Sequence, residues 1–571
     1  MSVKSSGSTD EFKKLSSDEW WDKIDKDLKG KPREILNRNL VDDLNSEPFY
    51  HFDQNIAKNR SFEYQERDQN FLDGEAWISG QKFFITKGKE KEISELISES
   101  INGDCKLIEL SFEKEFEYSL ISKVLKNFQG KLILSSNNLS SLLVAYDFLS
   151  TSLDNEIILD PDYMSAIIKG DFKSLLNSNT YQTSVVTLNS IFLIGKGGNE
   201  IHEGIYILSL LNLLIESSLE LNVRPKYLLR LNTGSNFFLQ IAKFRAIRKL
   251  ASVILKEWKI DSIPIIEAQS TEWNKSVYDR YTNILRLSSE SFAAISGGVD
   301  ILNISGFERA LNIENAFTFR NARNISHLLK HESHLDKVND QAAGSYYVEK
   351  LSEDYSENVW KGFQEIESKG GLIKYNAEFS IEKILAEVKT NGQSQFGNTR
   401  IKMVGTNTYP NPLDELTKEN IQNRTKGRLA YKFEKLRASV DLRNLEGQGK
   451  RPGVLLLKLG NSEMRFARAG FSTNFLECAG LEINDSDKIN DKLTNFDIAV
   501  ICSGDEEYKE SGTSWAKEIK TVNPEIKLIL AGNPENKKDL ENAGVDFFIH
   551  IKAPLENTLV KILKCLGIEE A

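Results

Sequence analysis

The chain has 571 residues, 40% of them apolar and 27% charged, and a formal net charge of -10 from 73 basic and 83 acidic residues. That length allows several domains, or one large barrel with a smaller unit, each with its own hydrophobic core. No basic stripe accompanies the acidic balance, which argues against nucleic acid as a partner, since phosphate backbones are held by clustered Lys and Arg. The four cysteines, Cys105, Cys478, Cys502 and Cys565, are scattered without a C-x-x-C pair. They suit a reducing cytosol and neither a disulfide framework nor a zinc ribbon. Met1–Asp10 is polar, and the longest apolar run, near Ile207–Ile215, is too short to span a bilayer. The expectation is a soluble, cytoplasmic chain with no membrane partner.

In chain order, residues 1–45 read as a polar helical arm in which Trp20, Trp21, Ile24 and Leu28 share one face and Gly30 and Pro32 stop the helix. That stripe packs either on the chain's own barrel or on a partner. From about Trp77 to Val404, short apolar runs alternate with helical stretches. The strand candidates are Lys106–Leu110, Lys131–Leu134, Glu156–Leu159, Ser184–Leu188, Tyr227–Leu231, Ile263–Glu267 and Ile301–Ile304. Runs this short and this rich in Ile, Leu and Val suit strands buried on both faces of a parallel sheet. The clearest helix is Phe237–Trp258, with Phe237, Ile241, Ile247, Ile254 and Trp258 expected inward and Lys243, Arg248 and Glu257 outward. Seven or eight such units predict a (β/α)8 TIM-type barrel over 46–404, with an open doubly wound sheet as the alternative. Residues 405–452 form a Gly-, Pro- and charge-rich connector with a helix at Arg428–Arg437. Residues 453–571 carry strands at Val454–Lys458, Leu481–Ile483, Asp497–Ile501, Lys527–Ala531 and Phe547–Ile551, and a last helix from about Leu555 to Leu566. Five such units match a flavodoxin-like parallel α/β domain.

Chemistry is sparse. In open α/β sheets ligands bind beyond the carboxyl ends of the strands. The loop there, Leu459 to Arg468, holds no histidine, no aspartate and no glycine run. Asp505, Glu506 and Glu507 follow the third strand and read as solvated charges. Gly195-Lys196-Gly197-Gly198 lacks the spacing of a phosphate loop and reads as a sharp βα turn. His327, His331 and His334 fall at i, i+4 and i+7, so one helical face would present three imidazoles. H-E-x-x-H is absent, however, and a polar helix face is the plainer reading. From the residues alone, the reading ends at a two-domain α/β protein.

Several ordered stretches resemble the methylmalonyl-CoA mutase family, and most closely its small, non-catalytic subunit. They are Asn236-Phe237-Phe238-Leu239-Gln240-Ile241-Ala242-Lys243-Phe244-Arg245-Ala246; Arg323-Asn324 with Leu329 and Glu332-Ser333; Ala343-Gly344-Ser345-Tyr346-Tyr347-Val348-Glu349-Lys350-Leu351; and Phe433-Glu434-Lys435-Leu436-Arg437. The resemblance implies a barrel threaded by a coenzyme-A ester. It also implies adenosylcobalamin between barrel and C-terminal domain, and a radical interconversion of succinyl-CoA and methylmalonyl-CoA.

The departures from the family pattern govern what is expected here. Where active members carry D-x-H-x-x-G to ligate cobalt, this chain has Ser462, Met464 and Ala467. The S-x-L stretch appears as Cys502-Ser503-Gly504 and the G-G pair as Ala531-Gly532. In the barrel, aligned on Trp77 and Gln81, two arginines become Glu75 and Gly80 and a tyrosine becomes Lys82. Aligned on Gln269 and Trp273, the histidine that bonds the thioester becomes Glu267, and a carboxylate is a poor donor to a carbonyl. The resemblance therefore implies no catalytic, cofactor or metal residues on this chain. The cofactor and acyl-CoA would sit on a homologous large subunit in a heterodimer. Lys82 and Glu267 are expected to pair and fill the vacated pocket. The alternatives are a divergent active mutase with Met464 against the corrinoid, and a regulatory module that keeps the C-terminal pocket for another small molecule.

Overall fold

The computed structural model describes residues 15–42, 44–51, 66–172, 175, 184–447 and 449–569. The first part of the predicted arm, residues 1–14, lies outside them. The arm's helix, Ser17–Leu28, starts at a capping box: the Ser16 hydroxyl accepts from Glu19 N and the Glu19 carboxylate from Ser16 N. It ends at Lys29 in the left-handed region. None of its residues is buried. Trp20 stacks on Phe49 and Tyr50 meets Tyr347, so the segment rests lightly on the barrel's flank. A short antiparallel pair, β1 (Arg38–Val41) and β2 (Leu44–Ser46), follows.

Eight parallel strands then close into a barrel in the order β10-β3-β4-β5-β6-β7-β8-β9. They are β3 (Ile78–Phe84), β4 (Leu107–Ser111), β5 (Lys131–Ser135), β6 (Ile157–Asp160), β7 (Val185–Asn189), β8 (Lys226–Thr233), β9 (Ile265–Ser270) and β10 (Ile301–Asn303). Closure is the pairing of Ile301 with Ile78, so the open-sheet alternative does not hold. Side chains alternate across each strand. Outward residues such as Ile108, Leu110, Leu132 and Leu134 pack under the helices. Inward, every strand contributes one apolar residue to a single plug: Ile78, Leu107, Ile133, Ile158, Val185, Leu228, Ile265 and Ile301, capped by Phe71 and Leu72. That plug seals the amino-terminal end of the barrel.

Strand β3 was absent from the candidates because its inward positions after Ile78 are Gly80 and Lys82, which break the apolar run. The helix Phe237–Glu257 differs from its predicted faces: Lys243 and Arg248 are buried, not outward. Helices Glu200–Glu220 and Tyr346–Ser368 pack beside it, so most of its circumference is covered. Its buried charges are paired, Lys243 with Glu203 at 2.7 Å and Arg248 with Asp300 at 2.6 Å.

The second sheet has the order β12-β11-β13-β14-β15, all parallel. Its strands are β11 (Gly453–Lys458), β12 (Glu482–Ser486), β13 (Ile498–Cys502), β14 (Lys527–Ala531) and β15 (Phe547–Ile549). This is the flavodoxin-like order expected. Strand β12 runs further into polar sequence than predicted because it is an exposed edge. The connector's helix is Tyr431–Leu445, later than Arg428–Arg437. Arg428 instead reaches back to Glu434 at 2.6 Å and to the Lys275 carbonyl at 2.9 Å.

The Gly195–Gly198 turn follows the short helix Ile191–Gly195 and packs against helix Ile381–Gly397. A Cβ at Gly197, where φ is +103°, would stand 2.2 Å from Lys389 Cβ and 2.8 Å from its Cα. The glycines thus serve a close helix approach. Gly197→Ala is expected to lower stability by roughly 2–4 kcal/mol through strain and overlap with backbone, measured by denaturant unfolding.

Candidate functional site

Strand β8 carries a charge in the middle of an apolar run, and alternation turns it inward. Arg230 has no solvent exposure. Its Nε donates to Glu267 Oε2 at 2.9 Å, and its Nη1 donates to Glu109 Oε1 at 3.1 Å and to Asp160 Oδ2 at 2.5 Å. Glu109 also pairs with Lys82 Nζ at 2.8 Å and accepts from Ser135 at 2.9 Å and Asn303 at 3.1 Å. Asn303 reaches Glu267 as well, at 3.0 Å, and Asn189 reaches Asp160 at 2.9 Å. One guanidinium therefore gathers carboxylates from β4, β6 and β9 across the barrel axis, directly above the apolar plug.

Two cations face three carboxylates here, so one negative charge is in excess. Burial opposes the charge on Glu109, but Arg230 and Lys82 outweigh it and hold the carboxyl at about 2. Burial dominates at Asp160 and Glu267 and pushes both upward. Burial works against the charge of Arg230, and the three carboxylates more than compensate and raise its pKa. The predicted Lys82–Glu267 pair is not formed. Lys82 pairs with Glu109 and Glu267 with Arg230, because Glu109 stands opposite Lys82 in the β3–β4 register.

Beyond the network, at the carboxyl ends of the strands, lies a cleft of about 750 Å³ whose lining includes Lys82, Asp160, Asp162, Asn189, Phe84 and Phe112. Asp162 holds φ +51° and caps the helix Tyr163–Lys169 through Ser165 N at 3.1 Å. Burial, then the adjacent Asp160, raises its carboxyl to about 6.

The second sheet has its switch point where β12 and β13 flank β11. Ligands enter open α/β sheets at such a crevice. Here the chain's own side chains fill it. Tyr508 is fully buried; its hydroxyl accepts from Ser503 N at 2.8 Å and lies 2.9 Å from the Ala531 carbonyl. Arg468 crosses the opening to the Ser503 carbonyl at 2.6 Å and to Asp505 at 2.7 Å. Glu507, read from sequence as solvated, accepts from Asn461 N at 2.6 Å, Ser462 N at 3.1 Å and Gly504 N at 3.3 Å, and from the Ser503 hydroxyl. Ser503 first, then those amides, hold its carboxyl at about 2.

The residues singled out by sequence fall into three places. Lys82 and Glu267 belong to the barrel network. Ser462, Met464 and Ala467 stand together at the start of helix Met464–Glu477. The Ser462 hydroxyl accepts from Met464 N at 3.2 Å, and the Met464 and Ala467 side chains are exposed. The three histidines do not share a face: the helix Ala316–His331 ends before His334, which adopts φ +54°. His327 instead bonds the Gly103 carbonyl at 3.0 Å. Among the described residues, no group of three or more His, Cys, Asp or Glu is placed to hold a metal ion. Sequence reasoning missed Glu109, Asp160, Arg230 and Asp162. For the first three the available signal was an ionisable residue inside an apolar strand, which is tolerated only when paired; Asp162 lies beyond the strand, at the helix N-cap.

Residues 209–448 match the family model described as methylmalonyl-CoA mutase. The chain is 33% identical to the methylmalonyl-CoA mutase small subunit of Porphyromonas gingivalis, over 57% of this chain and 56% of that protein. It is 27% identical to the probable methylmalonyl-CoA mutase small subunit of Mycobacterium bovis, over 59% and 57%. It is 32% identical to the methylmalonyl-CoA mutase of Rhizobium meliloti, over 34% of this chain and 28% of that protein. The matched region spans little more than half the length of the small-subunit relatives.

Two outcomes follow from the barrel charges. Arg230→Met strands three buried carboxylates and is expected to cost about 3–5 kcal/mol in denaturant unfolding. At Asp162 the folded pKa lies above the unfolded one, so stability falls as pH rises from about 4 to 6 and the loss is complete above that. Asp162→Asn keeps the cap and tolerates the left-handed backbone. It is expected to exceed the wild type by about 1–2 kcal/mol at neutral pH and to match it near pH 4, read from unfolding curves across pH.

Proposed function

We propose that the chain, which is similar to the methylmalonyl-CoA mutase family over residues 209–448 and to its small subunits over little more than half their length, is a non-catalytic structural subunit of that family. Its partner is a homologous large subunit that holds adenosylcobalamin and interconverts succinyl-CoA and methylmalonyl-CoA by a radical rearrangement, in a cytoplasmic heterodimer. One observation carries the reading: Arg230 and its three carboxylates occupy the barrel axis along which the acyl-CoA would have to pass. A ligand threading that axis would have to break buried ion pairs at a cost of several kcal/mol. The relatives named as small subunits support the same reading.

The residues present do not fit the corrinoid. Adenosylcobalamin supplies homolysis of a cobalt–carbon bond when bound, and the family's lower ligand is an imidazole with a carboxylate behind it. Ser462 and Met464 provide neither, and Tyr508, Arg468 and Glu507 fill the crevice beside them. The chain's work is to present surface. We assign residues 1–45 as the arm, 46–404 as the barrel unit, 405–452 as the connector and 453–571 as the second domain. The arm's Trp20, Trp21, Ile24 and Leu28 remain partly exposed and form a stripe suited to a partner. Obligate partners of this size bury more than ~2,000 Å².

Purified alone, the chain is expected to leave the cobalamin absorption spectrum unchanged and to isomerise no succinyl-CoA. With the large subunit it is expected to elute as a stable one-to-one complex with activity. A corrinoid spectral shift on the isolated chain, abolished by Met464→Ala, would instead establish the divergent active mutase. A Trp20→Ala, Trp21→Ala double variant is expected to weaken the complex by about tenfold or more, because buried tryptophans dominate interface energies; an unchanged Kd from titration calorimetry removes the arm from the interface.

A further inference from the structure

Above the Arg230 network, the cleft at the mouth of the barrel keeps about 750 Å³ open, within the ~300–1,000 Å³ that encloses small molecules. Its buried polar lining is short of hydrogen-bond donors. Asp160 is 2% exposed; Arg230 and Asn189 take its Oδ2, while its Oδ1 meets only the Asp162 amide at 3.5 Å, beyond the ~3.2 Å of a good N–H···O bond. Asp162 spends one oxygen on Ser165 N at 3.1 Å, and among the described residues the other accepts nothing. Gln269, 6% exposed, donates through Nε2 to Glu109 at 3.3 Å, and its Oε1 accepts nothing among the described residues. We propose that this cleft binds a small organic ammonium ion, its charged nitrogen against Asp160 and Asp162 and its carbon chain on Ile191 and Phe192.

Charge selects among the ligands that supply donors. Lys82 and Arg230 face the carboxylates of Glu109, Asp160, Glu267 and Asp162, so the floor of the cleft is negative when all are ionised. Water satisfies the acceptors and leaves that charge in place, whereas an ammonium ion brings both donors and a positive charge. Acyl-CoA esters and other phosphates are disfavoured by the same excess. A bare metal ion is not matched either, since among the described residues no three His, Cys, Asp or Glu are grouped to hold one. The rim residues Lys87, Glu113 and Lys114 are exposed, where solvent and salt screen them, and Lys196 is held by Glu382 at 2.8 Å. Burial and then Asp160 keep the Asp162 carboxyl up at about 6, as expected of an anion short of a counter-charge. Asn189 donates to Asp160 at 2.9 Å and accepts from Ile191 N at 3.0 Å, which sets the apolar wall of Ile191 and Phe192 next to that carboxylate. The inference is independent of the subunit role and concerns the mouth of the barrel, not the axis below it.

The test titrates the full chain with n-butylammonium chloride, using 1-butanol, sodium butyrate and sodium chloride as controls for size, opposite charge and ionic strength. Butylammonium is expected to give saturable heat in titration calorimetry, to raise the unfolding midpoint and to slow hydrogen exchange at amides 160–166 and 189–193. Its affinity is expected to exceed that of butanol by about tenfold or more, because its contacts to the carboxylates are charge-assisted. Asp162→Asn keeps the cap and removes one charge; it is expected to weaken butylammonium by about tenfold and to leave the butanol response unchanged. Should that variant not fold, the exchange pattern of the wild type carries the test. An absence of saturable heat, an equal response to butanol or butyrate, undiminished affinity in Asp162→Asn, or protection confined to other segments would each overturn the proposal.

Discussion

A guanidinium with no access to water governs the barrel. Transferring such a charge into a protein interior costs several kcal/mol and is tolerated only if counter-charges and hydrogen bonds surround it. Arg230 meets the charge requirement with carboxylates from three other strands bonded to its Nε and Nη1, while its Nη2 is buried without a hydrogen-bond partner; those carboxylates have their own partners in Lys82, Ser135, Asn189 and Asn303. Once Arg230 is inside, most inward positions of the middle layer are determined. The cluster also ties together strands that are not neighbours in the barrel. Replacing the whole cluster by apolar residues of similar volume would be nearly neutral in stability, so its distinctive consequence is occupancy: the axis is filled by side chains that cannot be removed singly.

The second domain follows the same logic with different chemistry. Tyr508, Arg468 and Glu507 satisfy the carbonyls and amides that the carboxyl ends of β11, β13 and β14 would otherwise present to a ligand. On the proposed reading, one chain closes both positions that its family uses for substrate and cofactor, and closes them by satisfying the exposed groups internally. Partial closure would leave unpaired buried donors, which are costly.

The strands were legible because a strand buried on both faces leaves an unbroken apolar run, as in Lys131–Leu134 or Lys527–Ala531. Legibility failed where the interior itself is polar. Strand β3 presents Gly80 and Lys82 inward and so was not among the strand candidates, while Lys243 and Arg248 looked like solvent-facing charges on a helix that is covered nearly all round. The same failure hid the site. Glu109, Asp160 and Arg230 lie in separate strands, up to 121 residues apart in sequence, and only barrel closure brings them together. The resemblance singled out Lys82 and Glu267, and both point into the barrel, where Lys82 pairs with Glu109 and Glu267 with Arg230. It could not show their partners, because those positions lie outside the matched motifs. Glu507 was misread for a related reason: whether a surface carboxylate is solvated depends on which amides face it, and those belong to another loop.

The motifs that carried the resemblance hold the scaffold. Arg245 bonds Asp340, Ser352 and Glu349, and Glu349 in turn accepts from Gly344 N at 3.0 Å, so two motifs a hundred residues apart form one joint between barrel helices. In the connector, Glu434 accepts from Val277 N at 2.9 Å and pairs with Arg428, which clamps the helix Tyr431–Leu445 to the loop after β9. The apolar face of that helix, with Phe433, Leu436 and Val440, lies in the core of the second domain, where Trp273 from the barrel loop also packs. Removing the second domain would expose this face and the tryptophan together. The second domain is therefore required by the packing of the barrel side, which explains how the chain can keep both folds while Arg230 and its carboxylates fill the middle layer of the barrel.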